Sequence, residues 1–182
     1  MTRWVLLALA AGCATPRPGS APWSCPATER WGTTPAADGR YALTAFGCWV
    51  DADGRAHGDR GDNCIPACLA EARRAGLCLP NESGPECERR VTWFTADAAR
   101  FGCLARVKIT EPRSGRAVVA VALDLGPACR VERSIAGPVL DASGRVNRAL
   151  FGSDQGAVDR AMVEVELVDA ATPLGEVSAA SP

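Results

Sequence analysis

The run Ala117 to Leu125, AVVAVALDL, is almost continuously apolar and rich in valine, which predicts a strand buried on both faces. Gly126-Pro127 ends it, so Asp124 stands at the mouth of that strand. A second apolar segment, Val139-Leu140, delivers Asp141 in the same manner, with Ala142-Ser143-Gly144 turning into a helix. Upstream, Leu104 to Thr110 (LARVKIT) alternates apolar and polar positions as a half-buried strand does, and Glu111 to Gly115 turns it into the central strand. Met162 to Asp169 sets Val163, Val165 and Leu167 against Glu164 and Glu166, the pattern of a closing strand with one wet face. Tyr41 to Val50 (YALTAFGCWV) has the aromatic and β-branched content of a first strand. Two further helical pieces are expected. One spans Cys64 to Gly76, with Pro66 in its first turn and Gly76 as its stop; the other spans Ala96 to Phe101, capped by Thr95 and closed by Gly102.

The two ends of the chain carry different patterns. Met1 to Cys13 (MTRWVLLALAAGC) has one arginine, an apolar run and Ala-Ala-Gly-Cys, which marks residues 1–12 as an export signal rather than part of the fold. The apolar run is far below the ~20 residues of a membrane-spanning helix. Residues 13–37 are rich in proline and alanine and read as a tether. Cys25 within it suggests that this end is stapled back onto the domain. Residues 171–182 are small and polar and read as a flexible tail.

Composition narrows the function classes. The 182 residues fit one main domain of ordinary size. Net charge is −1 and the basic residues are scattered arginines, so no stripe suited to a phosphate backbone exists and nucleic acid is not an expected partner. The nine cysteines include no pair of CxxC motifs, and the chain has one histidine, His57, so disulfides in an oxidising compartment fit better than zinc. The eight after Cys13, namely Cys25, Cys48, Cys64, Cys68, Cys78, Cys87, Cys103 and Cys129, are expected to form four disulfides, with the pairing left open. Asp51 and Asp53 have the look of a calcium loop, but Arg55 fills a ligand position. Neither a metal nor a cofactor is expected.

The order of these pieces is Asp124-Leu125-Gly126-Pro127, then Val139-Leu140-Asp141-Ala142-Ser143, a short helix Asn147 to Phe151, Gly156, and a final strand Val163 to Val168. It resembles the double-psi β-barrel of the rare-lipoprotein-A and expansin group, over roughly Gly39 to Asp169. Leu43-Thr44-Ala45-Phe46-Gly47 is similar to that group's opening signature, with Ala45 a departure. The resemblance implies a mainly β fold, a six-stranded double-psi β-barrel with short helices over 38–170, interrupted by a cysteine-rich insertion at about 51–94. It further implies an acidic groove in which Asp124 and Asp141 are the functional carboxylates and Thr44 a substrate-binding hydroxyl. The implied partner is cell-wall glycan or peptidoglycan. Ala-Ala-Gly-Cys resembles a bacterial lipobox, which would make Cys13 a lipid anchor and the sole membrane contact of a monomeric periplasmic or outer-membrane lipoprotein; a signal cut nearby without lipid, releasing a secreted protein, is the alternative.

Three functions remain open at this level. An expansin-like protein binds or remodels wall polysaccharide without cutting it. A lytic transglycosylase needs one acid, here Asp124, because the sugar's own hydroxyl attacks; hydrolysis needs two carboxylates ~5–9.5 Å apart. The group's lytic members carry a histidine about five residues before Phe-Gly, and Ala96 stands there in this chain, so whether it is an enzyme stays undecided. A non-catalytic envelope structural or inhibitor protein is the third reading, in which both aspartates are hydrogen-bond acceptors bracing the barrel.

Overall fold

The structure is a computed structural model that describes residues 23–50, 56–57, 65–153 and 161–178. The export signal, Cys13, most of the 51–63 loop, Cys64 and Gly156 lie outside the described residues. Six strands close into a barrel: β1 Arg40–Ala45, β2 Phe94–Thr95, β3 Arg106–Thr110, β4 Ala117–Ala122, β5 Val139–Ala142 and β6 Ala161–Val168. Around the ring they run β2-β5-β1-β6-β3-β4 and return to β2. The pairs β1–β5 and β2–β4 are parallel and the other four antiparallel. Exchanging β1, β2, β3 with β4, β5, β6 leaves both this ring and its two parallel pairs unchanged. The chain therefore builds the barrel from two equivalent three-strand halves, which is the expected double-psi arrangement.

The valine run explains why β4 is central. Val118 and Ala120 face a core with Tyr41, Leu43, Val107, Ile109, Leu140 and Val163, while Val121 and Leu123 face a second cluster with Phe46, Val91, Phe94 and Ala96. Burial on both faces contributes about 1.5–3 kcal/mol for each full-sized apolar side chain. One edge of β4 is shared, its end pairing with β2 and its start with β7, Gly175–Val177. That last strand lies where a flexible tail was expected; three residues in a small, polar stretch give no readable period.

Several boundaries differ from expectation. The first strand stops at Ala45, because Phe46-Gly47 turns the chain and residues Trp49–Val50 pair instead with Ala56–His57 in a separate hairpin. Gly47 has φ +95, and a Cβ there would meet the Phe94 ring at 2.9 Å. Helix α1 covers Leu69–Arg74, with Cys68 at its cap and Pro66 ahead of it. Helix α2, Gly84–Val91, was not anticipated, although Ser83 and Glu86 form a capping box with Pro85 in the first turn. Thr95 is not a helix cap. It lies in β2, and helix α3 covers Ala98–Phe101 with Asp97 at the cap position. Helices α4, Cys129–Ile135, and α5, Gly144–Phe151, follow β4 and β5.

Three disulfides join described residues: Cys25–Cys129, Cys68–Cys103 and Cys78–Cys87. Cys48 is disulfide-bonded as well. Such bonds form and persist in oxidising compartments, which is where they place the folded chain. Cys25–Cys129 fixes residues 23–34 against the barrel, helped by a bridge between Trp31 and Ala128. No helix among the described residues is long and apolar enough to cross a membrane.

Candidate active site

The short strand β2 decides the geometry. Thr95 is in register with Ala122 of β4 on one side and Ala142 of β5 on the other. Beyond it the chain stays stitched to both neighbours: Ala96 N donates to the Asp141 carbonyl at 2.8 Å and Ala98 N to the Asp124 carbonyl at 2.9 Å. Asp97 is therefore held between Asp124 and Asp141, and all three aspartates share one end of the barrel. With one strand between them, the Asp124 and Asp141 backbones stand ~9–10 Å apart at ordinary strand spacing.

The three carboxylates have different surroundings. Asp141 is half-buried and lies opposite Thr44 in the parallel β1–β5 register, where the Thr44 hydroxyl donates to its Oδ1. Asp124 is also half-buried; its Oδ1 accepts the Ala67 N–H at 2.8 Å and the Leu125 N–H at 2.7 Å, so this oxygen ties down the segment before α1. Asp97 is fully buried. Its Oδ1 accepts from Arg100 Nη1 at 2.6 Å, while Oδ2 has no hydrogen-bond partner among the described residues. Burial pushes the Asp97 carboxyl well above the ordinary carboxylate range. The nearby Asp141 and Glu132 charges add to that effect, and Arg100 and the Asp141 backbone oppose it.

Arg100 joins this group to the rest of the protein. Its guanidinium also bonds Glu132, the Val139 carbonyl at 2.8 Å and the Thr34 carbonyl at 3.0 Å. Glu132 in turn accepts from Val139 N at 3.0 Å and from Trp23 Nε1 at 3.1 Å. Among the described residues, Cys25, Cys129 and Glu132 bring potential metal-ligand atoms within 4.8 Å of one another. The two sulfurs are bonded to each other and Glu132 is engaged by Arg100, so the cluster is a staple rather than a metal centre.

Thr44, Asp124 and Asp141, the sequence candidates, thus come to the same end of the barrel, and Asp97, Arg100 and Glu132 were missed. The available signal was an aspartate and an arginine three residues apart in an otherwise small and apolar stretch, masked by the reading of Thr95 as a cap. Ala96, which stands where the lytic histidine was sought, is buried against Gly126. Gly126 has φ +148, and a Cβ there would approach the Ala96 carbonyl to 2.9 Å; the Gly126-Pro127 bond is cis. Arg133, nine residues after Asp124, donates to the Cys25 and Pro26 carbonyls. Trp93 precedes β2, away from Asp97, and stacks with Arg145. The side chains of Trp49 and His57 lie outside the described residues.

No curated protein and no solved structure matches the chain. The family model described as lysozyme A (AlyA) matches residues 75–181. That span contains Asp97, Arg100, Asp124, Glu132 and Asp141 as well as β2 to β7; it leaves out β1 with Thr44 and the segment stapled through Cys25. Matched over more than half its length, and with its three clustered aspartates inside the matched part, the chain belongs to the lysozyme A (AlyA) family.

Proposed function

We propose that this protein cleaves cell-wall glycan, with Asp141 as the proton donor and Asp124 as the second carboxylate. The observation that carries the reading is the contact of half-exposed Asp141 with Thr44 on one side and its electrostatic coupling to buried Asp97 on the other. Burial holds the Asp97 carboxyl well above the ordinary carboxylate range, so a proton is retained beside Asp141. General acid catalysis needs a proton retained close to the working pH. Asp141 is the member of the pair that reaches solvent, and so the one that can protonate a glycosidic oxygen. Asp124, one strand away, faces the positive charge that develops on the sugar as that bond breaks. Membership of the lysozyme A family supports cleavage over mere binding.

With alanine at position 96, the proposed acid and second group are both carboxyls. The one-acid route, in which the sugar's own hydroxyl closes an anhydro ring, makes the smallest demand on them. In the same proposal the protein is exported and anchored through a lipid on Cys13, and its groove is of the rare-lipoprotein-A and expansin kind. The test is to incubate the soluble chain with purified peptidoglycan and analyse the released fragments by mass spectrometry. Anhydro-sugar ends are expected. Reducing ends would replace the one-acid route with two-carboxylate hydrolysis, and retention on the glycan without products would remove cleavage in favour of expansin-like binding.

A further inference from the structure

A cleft of about 410 Å³ lies between helix α5, the start of β4 and strand β7, apart from the aspartate end. Arg116, Arg145 and Arg148 line it, with Glu176 and Val177 forming the β7 wall. Ala117 borders this cleft while Asp124 marks the aspartate end, and seven residues at strand rise separate them by roughly 23 Å. The two sites therefore share no residue and face different parts of the surface.

Arg116 and Arg145 set two guanidiniums against the Glu176 carboxylate and give the cleft a net positive charge, with Arg148 beside them. Arg145 and Arg148 are three positions apart on one helix, where like charges are neighbours and repel. Arg145 lies over the Trp93 ring at 4.9 Å, which orients its plane and leaves the N–H edge for a ligand. Arg116 enters from a different element, so the cations approach a ligand from two sides. A guanidinium fork matches the paired oxygens of carboxylate or phosphate and makes charge-assisted hydrogen bonds to them.

We propose that this cleft is a binding site for an anionic oxygen group, carboxylate or phosphate, carried by an envelope polymer. It works alongside the aspartate end and does not depend on it: the polymer is held at the arginines whether or not it is cut. Because β7 forms one wall, occupancy also fastens the last described strand to the barrel.

The full chain is titrated calorimetrically with two probes, poly(glycerol phosphate) and peptidoglycan fragments bearing free stem-peptide carboxylates, each at low and high salt. Amidated fragments serve as the neutral control. At least one anionic probe is expected to bind, more weakly as salt rises, because exposed charge pairs are screened. The R116Q/R145Q double variant, altered at two exposed side chains, is expected to lose about tenfold or more in affinity through the lost charge-assisted bonds. Glu176→Gln removes the opposing carboxylate and is expected to tighten binding. Which probe responds identifies phosphate or carboxylate as the natural group. Absence of binding by both probes, or affinities indifferent to both sets of substitutions, would overturn the proposal whatever the outcome of the cleavage assay.

Discussion

Arg100 and Glu132 meet inside the protein from helices α3 and α4, their side chains no more than 1% exposed. Arg100 is bonded at the same time to Asp97, whose side chain is 0% exposed, so one buried cation serves two buried carboxylates. Removing the shared cation should therefore cost more than removing one of the anions. Arg100→Met is expected to lower unfolding free energy by about 3–5 kcal/mol, the usual cost of stranding buried charge. Glu132→Gln keeps the Arg100–Asp97 pair and should cost less. Urea unfolding of both variants checks the order, and the reverse order would remove Arg100 from its central place.

The raised Asp97 carboxyl ties stability to pH. A carboxyl whose folded pKa lies above its unfolded value, about 3.9, binds more protons in the native state across the interval between the two. Its stabilising contribution is complete below the unfolded value and is lost as pH rises through the folded one. Glu86 and Glu111 have lowered values, chiefly through hydrogen bonds from Ser83 and Ser114 respectively. Their contributions are present above the unfolded value, about 4.3, and are lost as pH falls through the folded one, a window below that of Asp97. Asp97→Asn should therefore flatten the decline in stability above about pH 4 and leave the acid limb unchanged. Denaturation midpoints collected from acid to neutral pH for both proteins measure the difference.

The hydroxyl of Thr44 and the carboxylate of Asp141 separate positioning from proton transfer. Thr44→Val removes the hydroxyl with little change in shape and is expected to reduce glycan cleavage about 2- to 10-fold, as loss of a hydrogen bond between neutral groups of about 0.5–1.5 kcal/mol implies. Asp141→Asn should abolish cleavage while the protein stays folded. Equal activity in wild type and Asp141→Asn would transfer the acid role to Asp124.

The Cys25–Cys129 bond closes a long segment, its ends 104 positions apart in the sequence. Replacing both cysteines by serine is expected to cost about 2–5 kcal/mol, because the unfolded chain regains the freedom of that loop. Limited proteolysis should then cut within residues 23–34 first. Unchanged resistance there would mean that Trp23, Trp31 and the Arg133 contacts hold the strap without the disulfide.

Much of the barrel was legible because its longer strands write their burial into the sequence. The Val-Glu alternation of β6 corresponds to a strand within one residue of its expected place, and the valine run of β4 to a strand that starts where expected and ends three residues earlier, at Ala122. Asp124 and Asp141 were singled out by their position at strand ends, and the structure brings both to one end of the barrel. The site's third acid was not, because β2 has only two residues and two residues have no period. Thr95 suits a helix cap by local propensity; tertiary pairing with Ala122 and Ala142 made it a strand, and the helix start moved to Asp97. Glu132 and Arg100 were hidden for another reason. Their pairing links positions 32 apart, and no local pattern marks a buried charge whose partner is distant.

The two residues of β2 are also the clasp of the hoop. Five register pairs join β3 to β6 on the far side, whereas β2 is joined by two pairs to β4 and one to β5. The aspartates stand directly beyond that clasp, on the two strands it fastens. Under the proposed function, a glycan chain lying across Asp124 and Asp141 would bridge the thinnest join in the wall, so that gripping the polymer and cinching the barrel would be one event, and anything that parts the join would also draw the acids away from each other.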